Sequence, residues 1–260
     1  MRVLRIPRDE RPAWAGPIAA LEAGARYPLG HDTFRLDHGA DYFAFFDRLG
    51  DVAYYAAVED GEVLAVGAGV LRQTPLGPAW YICDLKVRPD RRGEHLPLRM
   101  FAAAFPPEFA RCPRGYGISM NPPDRPNRVL AIFQRFPVMP IRHATTLELW
   151  SLDAAAMRAA LPHVRTHRGN AGFRSLAGVK DIVLTSTGAP MALLHTQFGP
   201  YAAPTRAEPA EGAVHMLATP AADGLGAALR TLGHTPSATA TVITLGMEAR
   251  DWSWILTSDI

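Results

Sequence analysis

Residues 84–97 read Asp84-Leu85-Lys86-Val87-Arg88-Pro89-Asp90-Arg91-Arg92-Gly93-Glu94-His95-Leu96-Pro97. An apolar run with the composition of a strand, residues 80–87, leads into them. An apolar, helix-forming run, residues 97–105, follows, and Pro97 suits a first helical turn. A strand, a polar loop and a helix N-terminus in this order make a ready anion site, because the first amides of a helix lack intrahelical acceptors and point outward.

Working outward, residues 52–58 and 63–71 are β-rich runs on either side of Glu59-Asp60-Gly61, a strong hairpin signal. The turn at 75–78 passes the chain to the strand at 80–87 as a third member of that meander. Upstream, residues 1–6 read as a strand and 10–26 as a helix carrying Ile18, Leu21 and Ala25. Residues 41–49 read as a short helix whose Tyr42, Phe45, Phe46 and Leu49 form a core stripe, with a pocket wall as the lesser alternative. Downstream come a strand at 115–120, a Pro-rich loop at 121–127, a helix at 128–136 bearing Val129, Ile132, Phe133 and Phe136, and a strand at 145–152.

This order and this loop resemble the GNAT superfamily of N-acyltransferases over residues 1–152. The resemblance rests on a strand ending in Val-x-Pro, two intervening residues, then Arg-Gly opening a helix; Val87, Pro89, Arg92 and Gly93 match in place. His95 and Pro97 stand where the family has its second and third small residues. Those small residues let amides approach a pyrophosphate, and proline removes one donor. The resemblance implies an α+β fold with a mixed sheet and an acyl-coenzyme A, most simply acetyl-CoA, as co-substrate. It assigns cofactor binding to Leu85, Val87, Arg88, Arg92, Gly93, Glu94, His95, Leu96 and Asn127. Asn127 fits the family's loop asparagine, and Gln134 stands where a tyrosine general acid often sits. Glutamine cannot titrate, but a thiolate, with an ordinary pKa near 8.5, is a fair leaving group unaided.

An amine acceptor must lose a proton before it attacks a thioester, and a carboxylate is the usual base. Asp84 is the catalytic candidate; the competing reading is an ion pair with an arginine. Alternation puts Asp84 on the strand face opposite Cys83, Leu85 and Val87. Arg88, Arg91, Arg92, Arg125 and Arg128 flank the loop, where guanidinium groups suit phosphates; a solvated surface accounts for part of them. Cys83 reads as an inert thiol rather than a nucleophile. His163 and His167 share helical spacing without further ligands, so no metal is expected.

The chain has 260 residues, 48% hydrophobic and 20% charged, as a globular protein does. A net charge of +2 with acids interleaved among the arginines argues against a nucleic-acid surface. Neither a membrane-spanning run nor a signal peptide is visible, and the two cysteines read as reduced thiols in a cytoplasmic protein. From Asp153 the texture becomes Ala- and Thr-rich, which sets expected domains at 1–152 and 153–260. In the second, residues 154–161 read as a helix, 181–186 and 191–198 as a hairpin, 199–212 as a loop, and 254–257 as a final strand. Strands at 213–218 and 240–245 flank a helix at 225–232, which in a degenerate second GNAT lobe would make a parallel, adjacent pair. A C-terminal α+β extension is the alternative. The cleft beside Gly224 and Gly226 is expected to be filled by side chains.

Three functions fit: a CoA-dependent N-acyltransferase acting on a small amine, a catalytically silent protein of this fold that binds an acyl-CoA or a partner, and a fatty-acyl N-acyl amino acid synthase. A homodimer is left open.

Overall fold

The computed structural model describes residues 1–134, 141–248 and 251–260, without the side chains of Arg128, Phe133 and Gln134. In chain order the first elements are β1 (Arg2–Ile6), α1 (Arg11–Glu22), β2 (Tyr27–Leu29), β3 (Asp32–Asp37), α2 (Ala44–Asp47), β4 (Asp51–Glu59), β5 (Glu62–Thr74) and β6 (Gly77–Val87). After β6 come α3 (Leu96–Phe109), β7 (Gly115–Met120), α4 (Arg128–Gln134), β8 (Arg142–Leu152), α5 (Ala154–Arg168) and β9 (Ala171–Arg174). The last are β10 (Asp181–Leu184), β11 (Leu193–Phe198), β12 (Val214–Pro220), α6 (Gly224–Thr231) and β13 (Ala238–Leu245). Phe136, expected at the end of α4, lies outside the described residues. Among those residues no helix is long and apolar enough to cross a membrane.

The backbone forms two compact units. Unit 1 holds Met1–Ala25, His38–Gly117 and Thr244–Met247; unit 2 holds Arg26–Asp37, Ile118–Ile243 and Glu248–Ile260. They interleave in sequence, so they divide the chain differently from the 1–152 and 153–260 domains expected from its texture.

In unit 1 the strand order is β1-β4-β5-β6-β7. β1, β4, β5 and β6 are antiparallel neighbours, and Asp60 and Gly61, at φ 50° and 83°, make the turn between β4 and β5. Positive φ at both central residues matches strand twist, which is why Asp-Gly serves there. Alternation divides β4: Ala53, Tyr55 and Ala57 face Leu96 and Met100 of α3, and the Tyr54 ring meets Phe43 edge-on at 5.1 Å. Of the expected stripe, Tyr42, Phe45 and Phe46 are buried core and Leu49 is half-buried, while Phe43 is buried as well.

β6 and β7 run parallel, and only Trp80, Tyr81 and Ile82 pair with Gly115, Tyr116 and Gly117. Beyond Ile82, β6 continues to Val87 with no β7 partner. Across this stretch the β5–β6 register slips between Val66 and Ala68, and Asp84 takes φ 55°. This is a β-bulge, which kinks the strand and re-aims its side chains.

In unit 2 the order is β13-β8-β12-β11-β9, beside a three-stranded sheet β10-β3-β2. Three sequence expectations change. β10 pairs with β3 rather than β11, so the expected hairpin of 181–186 with 191–198 is reduced to a tight antiparallel turn, in which Val183 bridges Pro190 and the Met191 amide donates to the Ile182 carbonyl at 2.8 Å. β12 and β13 are separated by β8, so they are not the adjacent parallel pair. Residues 254–257 form no strand; a 3-10 turn occupies Thr257–Asp259. The β2–β3 hairpin was not foreseen.

The parallel junction recurs one strand earlier than expected. β9 and β11 are antiparallel, β11 and β12 parallel, and only Leu193, Leu194 and His195 pair, with Val214, His215 and Met216. That repeats β5-β6-β7, with one loss: α3 lies between the parallel strands of unit 1, whereas residues 199–213 cross over without any helix. α5 and α6 cover unit 2 through Met157, Leu161, Val164, Leu225 and Leu229, packed on Trp150 and Leu217.

Candidate functional site

The loop after β6 exposes backbone donors. A 3-10 turn, Pro89–Arg91, passes to Gly93 at φ 97° and to His95 at φ 55°, the left-handed residue that opens α3. Gly93 has open space where a Cβ would stand, so its glycine serves the backbone angle alone. Among the described residues the N–H groups of Gly93, Glu94, His95 and Leu96 meet no acceptor. Such a row of amides at a helix start is a seat for anionic oxygens.

The arginines divide. Arg88 is held by Glu62 at 2.6 Å and Asp90 at 2.8 Å, and Arg91 by Glu59 at 2.8 Å and Glu94 at 2.6 Å. Arg88 and Glu94 are therefore engaged with protein partners. Arg92 is exposed and meets no acceptor among the described residues. The Leu96 side chain is buried in the core, Val87 packs against that core, and Leu85 is exposed. Asn127 caps α4. Its Oδ1 accepts from the Val129 and Leu130 amides at 3.0 and 3.2 Å, and its Nδ2 donates to Asn121 Oδ1 at 2.9 Å. Both ends of that amide are committed, as asparagine at an N-cap often is.

Below the bulge lies a buried polar cluster that the sequence reading missed. Asp84 accepts hydrogen bonds from Tyr54 and Lys86 and from the Tyr42 hydroxyl at 2.9 Å. Lys86 Nζ also reaches Glu22 Oε2 at 2.7 Å and donates to the Tyr42 hydroxyl at 2.6 Å. His38 Nε2 lies 3.3 Å from the same Glu22 oxygen. The side chains of Asp84, Lys86, Glu22 and His38 are each between 4% and 7% exposed. Asp84 therefore has an ion-pair partner, and it is a lysine, not an arginine. Glu22, His38 and Asp84 hold ligand-type atoms within 4.8 Å of one another, but the Lys86 ammonium bonds both carboxylates and fills the cation position.

Burial alone would raise the Glu22 pKa, yet His38 and Lys86 outweigh it and bring it down to about 2. Burial opposes the charge on Lys86, and Asp84 with Glu22 overrules it and raises its pKa. Burial, then Asp84, pushes both Tyr42 and Tyr54 upward, so they stay neutral donors. A carboxyl at about 2 when folded, against an ordinary 4.5, favours the folded state above pH 4.5. That contribution, about 3 kcal/mol, is lost as the pH falls from the ordinary value through the folded one. Urea unfolding of the protein should weaken accordingly, and Glu22→Gln should remove much of the dependence. An unchanged acid slope in that variant would show that Glu22 is not its source.

In unit 2 the equivalent space past the β11–β12 ladder is occupied. Thr257 Oγ1 donates to the Met216 carbonyl at 3.1 Å and meets His195 Nδ1 at 3.0 Å, at the last paired residues of the two strands. Ser258 Oγ accepts from Gln197 Nε2 at 2.9 Å. Thr257, Ser258 and Asp259 are buried. The cleft foreseen beside Gly224 and Gly226 is also filled: His167 lies 2.8 Å from where a Gly224 Cβ would stand, and Thr219, Glu148 and Arg230 crowd Gly226.

No family model and no curated protein matches the sequence. Solved structures do. A tandem GNAT protein from the clavulanic acid biosynthesis pathway, solved without AcCoA, matches over 94% of this chain and 98% of its own, with TM-score 0.52 and 13% identity. A GCN5-related N-acetyltransferase from Anabaena variabilis ATCC 29413 matches over 94% of this chain and 72% of its own, with TM-score 0.50 and 7% identity. An aminoglycoside 6'-N-acetyltransferase solved with coenzyme A matches 46% of this chain and 63% of its own length, with TM-score 0.32 and 14% identity.

Proposed function

We propose that this chain, which has the GNAT acyltransferase fold in tandem form, is a CoA-dependent N-acyltransferase whose working lobe is the first. The observation that carries the reading is the combination in unit 1 of a β6 stretch, Asp84 to Val87, that β7 does not pair and four amides, Gly93 to Leu96, with no acceptor among the described residues. The amides and Arg92 would hold the pyrophosphate of acetyl-CoA, and the free β6 edge would take the pantetheine amides as a strand does. A small amine or amino-acid-like acceptor attacks the thioester carbonyl in its neutral form: a C–N bond forms, the C–S bond breaks, and the proton that the nitrogen loses passes through water to the leaving thiolate.

Asp84 has a different role in this reading from the general base its position suggests. Its oxygens are occupied by Tyr42, Tyr54 and Lys86, and its side chain is 4% exposed. It fixes the bulge that frees the β6 edge, which makes it a positioning residue.

Release of free thiol from acetyl-CoA in the presence of a panel of small amines and amino acids tests the activity. Arg92→Ala should raise the acetyl-CoA concentration needed about tenfold, the worth of one charge-assisted phosphate contact. Thiol release that no amine stimulates, with acetyl-CoA still bound, would favour the catalytically silent reading. An unchanged requirement in Arg92→Ala would remove that residue from the site.

A further inference from the structure

Unit 2 contains a cavity of about 270 Å³ on the β11 side of the 175–182 segment. Pockets for drug-sized ligands run from about 300 to 1,000 Å³, so this one suits a small metabolite. Its apolar lining comes from Leu176, Ile182, Met191 and Leu193. Its polar lining is Ser175, Lys180, Asp181, His195 and Arg206.

The charges in it are unequal in availability. Asp181 Oδ2 is committed to the Gly178 amide at 2.9 Å. Lys180 Nζ donates to the Ile260 oxygen, and His195 Nδ1 is held by Thr257. Arg206 Nε donates to the Glu208 carbonyl at 3.0 Å, and its terminal nitrogens meet no acceptor among the described residues. Its position is fixed by the backbone: the Phe173 amide donates to the Arg206 carbonyl at 2.8 Å, and the Arg206 amide returns a bond to Phe173 at 3.1 Å. This close approach depends on Gly172, where a Cβ would stand 2.7 Å from the Arg206 carbonyl oxygen. The pocket is thus a mainly apolar hollow whose lining includes Arg206, a residue with an anchored main chain and uncommitted terminal nitrogens.

We propose that this pocket is a binding site for a small organic carboxylate with an apolar body, separate from the acyl-CoA site. A guanidinium presents parallel donors that match a carboxylate, and the apolar lining takes the remainder of the molecule. A phosphate ester fits less well, because the lining holds neither a glycine nor a helix N-terminus to supply amides. The inference does not depend on acyl transfer.

The test is calorimetric titration of the full chain with hexanoate and benzoate, and with hexanamide and benzamide as neutral counterparts. At least one carboxylate should bind saturably at millimolar concentration, with its amide about tenfold weaker or worse. Arg206→Ala should weaken the carboxylate by about tenfold and Arg206→Lys by less, while acetyl-CoA binding is unchanged. Arg206 is exposed, so neither variant threatens the core. No heat from either carboxylate, equal binding of acid and amide, or indifference to Arg206→Ala would each overturn the proposal.

Discussion

Replacing Lys86 with methionine should lower the unfolding free energy by about 3–5 kcal/mol, the usual cost of removing one partner from a buried ion pair. The reason is the position of its ammonium between Asp84 and Glu22, bonded to both. Without it two carboxylates face each other with, among the described residues, the Tyr42 and Tyr54 hydroxyls and His38 left to stabilise them. Methionine fills much the same volume, so loss of packing is a small part of the change. Denaturant unfolding of Lys86→Met, Glu22→Gln and the double variant measures the coupling. The double variant should lose clearly less than the sum of the singles, because removing the Glu22 charge relieves part of the repulsion. Additive losses, or a cost under about 1 kcal/mol for Lys86→Met, would mean that solvent screens the cluster and that it does not fix the bulge.

Part of this cluster was open to sequence reasoning. Asp84 and Lys86 lie two apart, a spacing that offers them as a pair, but plain alternation puts both on the face of Trp80 and Ile82, and the bulge at Asp84 turns them to the Tyr54 face instead. Glu22 and His38 carry no such signal, since only tertiary packing brings α1 and the segment before α2 to β6. The first lobe was legible because its elements announce themselves locally: Asp60-Gly61 fixes a hairpin, and Val87 to Gly93 fixes the strand end and the loop. Asn127 was read as a cofactor ligand from its place after β7. Its spacing to the start of α4 equally marks an N-cap, and that is the role it fills.

The second lobe was misread by one strand. Its parallel crossover, residues 199–213, has lost the helix that identifies such a unit in sequence. The sequence pattern therefore offers the helix at Gly224–Thr231 as the crossover and β13 as the partner of β12, whereas β8 lies between those strands. Similarly, Trp254 to Thr257 has the composition of a strand, but its buried Ile255 and Leu256 lead into the turn that fills the space past the β11–β12 ladder.

These differences between the lobes fix the second large expectation, the stoichiometry of the cofactor. Unit 1 keeps a helix N-terminus, a left-handed His95 and an unengaged Arg92 after its parallel strand. Unit 2 has no helix at that point, and Thr257 and Ser258 occupy the space. Acetyl-CoA titrated into the full chain by calorimetry should therefore saturate a single site. Gly93→Val should weaken it about a hundredfold, or about 2.8 kcal/mol, because a β-branched residue resists φ 97° and turns the loop amides away. Since a Cβ there meets no neighbour within 4 Å, the variant should fold. One site, lost in Gly93→Val and intact in a Thr257→Val variant of the second lobe, is the predicted result. Two sites, no binding at millimolar acetyl-CoA, or a single site indifferent to Gly93→Val would contradict a first-lobe acyl-CoA site.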